Sequence, residues 1–244
     1  FQTLNRNKRS FTLDLKSDAG REVFHKLVAS ADGLTNNLRG DQPGKLGLTY
    51  ADLSRANPRI VCAHISAYGR TGSRAAWPGY DYLMQGETGF MALTGEPDGP
   101  PTRMGLSIVD WMTGVTAMLG LVSSILAARQ TGVGRDIDVS LFDTALFQMT
   151  YPAVWYLNEG DVTARVARSG HPSLVPAQLY TAKDGYLYVM GLTTKFWDLI
   201  VEKIDRPDLG ADPRFIDFPA RLANRDALTE VLDAVFAEKT VDEW

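Results

Sequence analysis

The sequence predicts an α/β fold with a largely parallel sheet, followed by part of a smaller α+β domain. Three observations predict it. Compact strand-like runs at residues 60–65 and 136–140 alternate with helical stretches at 110–129 and 141–158, and strand–helix alternation is what builds a parallel sheet. The texture then changes near Gly160. Beyond it, the apolar-aromatic runs 178–181 and 186–190 flank Lys183-Asp184-Gly185, and Asp-Gly between such runs is a strong hairpin signal. The chain therefore divides into a large domain (residues 1–158), a linker (159–176) and a small domain (177–244).

Each element has a local cause. Residues 11–15 alternate apolar and polar and read as a short strand. Ser17 or Asp18 can cap a helix that runs to Val28 and buries Val23, Phe24, Leu27 and Val28. Residues 33–37 read as a strand end entering a loop, and 40–44 carry turn chemistry. Thr49 opens a short helix that ends before Pro58, which cannot continue it. After the 60–65 strand come a Gly- and Ser-containing loop, a helix over 82–93, a Gly/Pro-rich loop over 95–101, and the long helix over 110–129. In the small domain the pattern predicts helices over 195–204 and 220–236.

Composition narrows the function. The chain has 244 residues, 45% hydrophobic and 22% charged, with a net charge of -4. A general nucleic-acid binder would be basic, so that class is disfavoured. Cys62 is the single cysteine, which excludes an intramolecular disulfide and suits a reducing, cytoplasmic compartment. His25, His64 and His171 are widely spread, with no pair at metal-ligand spacing. The apolar stretch 111–128 is interrupted by Thr113, Gly114, Thr116, Gly120, Ser123 and Ser124, and reads as a buried helix rather than a membrane span. The chain opens at Phe1, and Thr240 to Glu243 has capping-box spacing. Both features lead us to expect a longer natural polypeptide.

Asp110 stands at the start of the long helix, and two roles are open to it. It can be a plain N-cap, the commoner role for an aspartate there. It can also be a nucleophile: helix-terminal amides would keep the carboxylate charged and donate to an oxyanion on an attacked carbonyl, and a dry, aligned carboxylate can attack a thioester. Asn37, Arg39 and Lys45, with the basic run 5–9, can rim a phosphate site, although neither a Walker loop nor a dinucleotide fingerprint is present. Tyr80 can donate a phenolic hydrogen bond into a cleft, and Asp81 can orient its neighbours. Gly170 can let backbone approach a ligand beside His171.

Several motifs then fall in one order: Asn5-Arg-Asn-Lys-Arg-Ser-Phe-Thr-Leu-Asp-Leu15, Asn37-Leu-Arg39, Lys45-Leu-Gly-Leu48, Asn57-Pro-Arg-Ile60, Tyr68-Gly-Arg-Thr-Gly72, Pro78-Gly-Tyr-Asp81, Leu93-Thr-Gly-Glu-Pro97 and Thr131-Gly-Val-Gly-Arg135. Together, over nearly the whole chain, they resemble the class III coenzyme A transferases, the CaiB/BaiF family. The resemblance implies a Rossmann-like domain lacking its N-terminal part, a C-terminally shortened small domain, and an interlocked homodimer of full-length subunits. It implies that Asp110 is the nucleophile, with Tyr80 and Asp81 near the thioester. Leu13, Asn37, Leu38 and Lys45 would line the coenzyme A site, with Arg39 in the same loop. Gly170 and His171 fall in a segment that is a mobile glycine-rich loop in some members; here it is not glycine-rich.

The implied reaction moves coenzyme A between carboxylic acids through an aspartyl anhydride and an aspartyl thioester. Its substrates are acyl-CoA and a free acid, and it requires no metal or redox cofactor, nucleic acid or membrane. Arg103 can pair with the free carboxylate of a dicarboxylic substrate such as succinate. Two alternatives stand beside transfer. An α-methylacyl-CoA racemase of the same superfamily has a His before the Asp where this chain has Tyr80, and a phenol titrating near ~10 is a poor base at neutral pH. A non-catalytic acyl-CoA-binding protein would keep Asn37 and Lys45 without depending on Asp110.

Overall fold

The computed structural model describes residues 1–244 as two compact units, one of Phe1–Phe90 with Arg103–Ala153, the other of Met91–Thr102 with Val154–Trp244. The first unit is built on three parallel strands in the order β1 (Gly33–Asn36), β2 (Val61–Ser66), β3 (Arg135–Ser140). Asn36 is in register with His64, and His64 with Asp138. β2 is central and almost wholly buried, which is why its sequence is a continuous apolar run rather than an alternation.

Helix α1 (Asp18–Val28) begins where expected, with Ser17 Oγ accepting the Gly20 amide at 3.1 Å. Of its expected core residues Val28 is buried, but Val23 and Leu27 are about half exposed; the helix lays only a narrow stripe on the core. Residues 11–15 form no strand. They alternate, but no strand of the sheet lies beside them, and an extended segment without a ladder partner has nowhere to place its backbone hydrogen bonds. Residues expected as a turn form the one-turn helix α2 (Gln42–Lys45), started by Pro43. Helix α3 (Tyr50–Leu53) carries the Thr49–Asp52 capping box.

The helix expected over 82–93 is split into α4 (Asp81–Glu87) and α5 (Phe90–Leu93). Gly89 takes φ +95° between them, a value that stops helical propagation and that glycine adopts readily. Helix α6 (Ile108–Thr131) packs on β2 and β3, buries only Val109, Thr113, Ala117 and Ala128, and ends at Gly132 in the left-handed conformation. It is long and apolar enough, by length and composition, to cross a membrane, contrary to expectation. Nor is it a buried helix: Trp111, Leu119, Val122 and Leu126 are each 60–69% exposed. One face lies on the sheet, α4 and α7 also pack on the helix, and these four side chains stand out from it. The following helix is also split, into α7 (Leu141–Gln148) and α8 (Thr150–Glu159), at Thr150 with φ +45°.

The second unit holds an antiparallel hairpin, β4 (Ala177–Thr181) and β5 (Tyr186–Met190). Its four-residue loop closes through Ala182 N–H to Gly185 O, and the Asp184 carboxylate accepts the Val241 amide at 2.8 Å. Helices α9 (Thr194–Lys203), α10 (Pro207–Ala211), α11 (Phe218–Ala223) and α12 (Arg225–Phe236) complete it. A single helix over 220–236 was expected; Asn224, with φ -114° and ψ 30°, divides it. The core of this unit gathers Tyr180, Trp197, Phe215, Leu228, Leu232 and Phe236, all essentially inaccessible, the Phe and Leu side chains each worth about 1.5–3 kcal/mol of burial.

Candidate active site

A cleft of about 520 Å³ opens in the first unit where the three strands end. Asn37, Leu38 and Arg39 follow β1, Ile65 to Ala67 end and follow β2, and Leu141 follows β3; all line it. Ligands of open parallel sheets bind outside the carboxyl ends of the strands. Trp77 to Tyr80 form a second wall, and Asp110, Thr113 and Gly114 of α6 a third. Asp110 is the only carboxylate among these lining residues.

Asp110 is not the cap of its helix. Ser107 is the N-cap residue, makes no side-chain capping bond, and leaves Asp110 at the third helical position. The cap comes from 28 residues upstream. Asp81 Oδ2 accepts the amides of Val109 at 2.7 Å and Asp110 at 3.0 Å. Those two amides, expected to sustain the Asp110 charge and to bind an oxyanion, are thus already engaged. Burial, and secondly the nearby Asp81 charge, push the Asp110 carboxyl above its ordinary value.

Asp81 is 4% exposed and does not line the cleft. Gln85, one turn along α4, donates to its other oxygen at 2.6 Å. Tyr80 is 74% exposed, so its phenol is free to reach into the cleft. Gly79 lies so close to β2 that a Cβ there would stand 2.5 Å from Ala67 Cβ, and only glycine lets this wall approach the strand end. Trp77 is held by Arg74, whose guanidinium lies 5.0 Å from its ring and pairs with Glu87 at 3.0 Å.

Arg39, on the cleft wall, grips Asp41 through Nε and Nη2 at 2.6 and 3.0 Å, and Lys45, which does not itself line the cleft, reaches the same carboxylate through Nζ at 2.5 Å. These bonds, that of Arg39 first, hold the Asp41 carboxyl well below the usual range. The trio carries two positive charges and one negative, so it stays net cationic while fixed in place.

Not every residue expected at the site is brought there. Leu13 lies in coil before α1 and does not line the cleft. Arg103 does not line it either: its Nη1 donates to the carbonyls of Met104 and Gly105 at 3.0 and 3.1 Å, and its guanidinium sits 4.4 Å from the Tyr82 ring centroid. Gly170 and His171 belong to the second unit. The His171 carbonyl accepts from Arg225 at 2.7 Å, its imidazole is pushed below its ordinary value by burial and then by Arg225, and Gly170 adopts an ordinary extended conformation with φ -69°. His64 is buried with both ring nitrogens engaged, by Asn36 and Asp136 at 2.9 Å each. Sequence reasoning missed Trp77 and Gln85; the four-residue spacing from Asp81 to Gln85 was the available signal for the latter. No group of three or more His, Cys, Asp or Glu side chains is placed to hold a metal ion.

The chain is 35% identical to the acetyl-CoA:oxalate CoA-transferase of Acetobacter aceti, over 100% of this chain and 63% of that protein. It is 33% identical to the succinyl-CoA:mesaconate CoA-transferase of Haloarcula hispanica, over 93% of this chain and 58% of that one. A crystal structure of a CaiB/BaiF family protein from Brucella suis superimposes with a TM-score of 0.82 at 34% identity, covering 98% of this chain and 63% of that chain. The chain thus spans somewhat more than half the length of these relatives. The description of CoA-transferase family III matches residues 1–244, and the chain belongs to that family.

Proposed function

We propose that the whole protein is an acyl-CoA:carboxylate CoA-transferase and that Asp110 is its nucleophile. The observation that carries this reading is the position of Asp110: a single carboxylate lining a cleft at the strand ends, with the cationic Arg39 on its wall, tied through Asp41 to Lys45. The carboxylate attacks the donor thioester carbonyl, forming a mixed anhydride and releasing coenzyme A thiolate. The thiolate attacks the aspartyl carbonyl, giving an aspartyl thioester and the free donor acid. An acceptor carboxylate attacks that thioester, giving a second anhydride and thiolate. Thiolate attack on the acceptor acyl carbon yields the new acyl-CoA and restores Asp110. Each step exchanges one activated acyl bond for another, so no outside energy source is needed.

Asn37, Leu38, Arg39 and Lys45 are assigned to coenzyme A, with the cationic pair toward its phosphates. Tyr80 is assigned a hydrogen bond to the reacting acyl group. Relatives named for oxalate and mesaconate favour a dicarboxylic acid among the substrates; the placement of Arg103 gives no support to its pairing with the distal carboxylate. We further assign the protein to the reducing cytoplasm, which suits its one buried, unpaired cysteine, and to a homodimer, in which the apolar face of α6 around Leu119 and Val122 would be covered.

The test uses the full-length protein. Asp110→Ala is expected to abolish acyl transfer while coenzyme A still binds, and hydroxylamine added during wild-type turnover should convert Asp110 to its hydroxamate. Transfer unchanged in Asp110→Ala would refute the nucleophile. Exchange of the substrate α-hydrogen with deuterated water, without an acceptor acid, would replace transfer by racemisation.

A further inference from the structure

Gln85 is completely buried, and its carboxamide has a partner for each of its polar groups. Nε2 donates to Asp81 Oδ1 at 2.6 Å and to the Leu106 carbonyl at 3.2 Å, while Oε1 accepts the Met104 amide at 2.9 Å. The orientation is forced, because a carboxylate and a carbonyl need a donor and a backbone N–H needs an acceptor. Among side chains of this length only a carboxamide offers both. Glutamate has no donors when ionised, and leucine has neither kind of group.

Asp81 and Gln85 are four residues apart, so both point from one face of α4. That face meets the chain at Met104, Leu106, Val109 and Asp110. The segment leading into α6 is therefore pinned at four backbone atoms, all through two side chains of one helix. Ser107 makes no capping bond, and the local tie of Arg103 to the Met104 and Gly105 carbonyls leaves the helix amides unanswered. Gln85 acts twice over: it holds residues 104–106 directly, and it fixes the oxygen of Asp81 that leaves Oδ2 free for the α6 amides.

From this geometry we infer that Gln85 is a positioning residue for Asp110, setting the backbone from which the nucleophile reaches the cleft. The catalytic part of this inference rests on Asp110 being the nucleophile. The structural part does not.

The experiment compares Gln85→Leu and Gln85→Glu in the full-length protein, Glu retaining length and volume should Leu fail to fold. The expected kinetic result is a kcat lowered about 10- to 100-fold, the scale of a misplaced reacting group, with KM for acyl-CoA within about twofold of wild type. Hydrogen exchange, resolved to Val109 and Asp110, should show those two amides losing protection while the strand amides of β2 keep theirs. Unchanged kcat in a folded variant, or a change in KM alone, overturns the catalytic role. Unchanged exchange at Val109 and Asp110 overturns the clamp itself. If the wild type shows no transfer at all, the proposed function fails, and the exchange result still decides whether Gln85 holds the segment.

Discussion

Asp81 accepts the backbone N–H of Asp110 at 3.0 Å, so the carboxylate that lines the cleft is carried on a peptide held by a second, buried carboxylate. A helix N-terminus has a few orphan donors to offer, and here Asp81 takes two of them. The positive end of α6 is thereby answered by a residue that cannot reach the cleft. Asp110 receives the opposite influence, since burial and the Asp81 charge both disfavour its ionised form. A carboxylate that gives up its proton less readily is a more reactive nucleophile once ionised, so in the proposed reaction the arrangement trades ease of ionisation for reactivity.

This sets a pH dependence with a definite sign. If Asp110 must be ionised to attack, kcat/KM falls on the acid side with a limb above the ordinary aspartate value near ~3.9. Asp81→Asn keeps an oxygen to accept the α6 amides but removes the charge, and should move the limb downward. A limb at the same pH in both proteins would contradict the coupling. Stability follows the same linkage. With its folded value raised, Asp110 contributes stability that is present below ~pH 4 and lost as pH climbs through the raised value. Asp110→Asn should therefore gain in urea midpoint relative to wild type at pH 7.5, compared with the difference at pH 4.

How much of this is legible in the sequence differs by element. The strands β1, β2 and β3 are legible because apolar or alternating runs sit between turn residues. The breaks at Gly89, Thr150 and Asn224 are not, because the helical period runs on through one residue of altered dihedral angles. Residues 11–15 alternate like a strand, but alternation does not supply a neighbour. The apolar length of α6 is legible, while the side that faces the sheet is set by tertiary packing. At the site, Asn37 to Arg39, Tyr80 and Asp110 are marked by chemistry in order along the chain and do converge on one cleft. The cap on α6 is not marked, because it joins residues 28 apart and Ser107 and Asp110 are both respectable caps by local rules.

The three strands share one chain of polar groups, centred on the buried His64 and flanked by the partly buried Asn36 and Asp136. Asn36 donates through Nδ2 to His64 Nδ1, so Nε2 carries the hydrogen that meets Asp136 Oδ1, each at 2.9 Å. Asp136 also accepts the Tyr50 amide at 2.8 Å and lies 3.5 Å from Arg70. His64→Phe fills the space and leaves Asn36 and Asp136 each short of a partner. The expected loss is about 2–4 kcal/mol, the scale of stranding a buried donor and a charged acceptor. Urea unfolding measures it, and a loss under about 1 kcal/mol would mean that water replaces the ring at little cost.

Arg221 tests what a buried cation does in the second unit. It is fully buried, donates to the carbonyls of Val175 and Phe215 at 3.0 and 2.8 Å, and lies 5.0 and 4.7 Å from the ring centroids of Trp197 and Phe218. Its Nη2 has no hydrogen-bond partner, and burial pushes its guanidinium below the ordinary value. Two effects oppose each other: the fork stitches two backbone segments, and the charge is held away from water. Arg221→Met keeps the stem, relieves the buried charge and strands two carbonyls, for an expected loss of about 1–3 kcal/mol. Arg221→Lys keeps a charge, more strongly hydrated and without the planar fork that reaches both carbonyls and stacks on both rings. Its expected loss is larger, about 3–5 kcal/mol. Thermal or urea unfolding ranks the pair, and a lysine variant as stable as wild type would show that charge alone, rather than the guanidinium fork, is what this core requires.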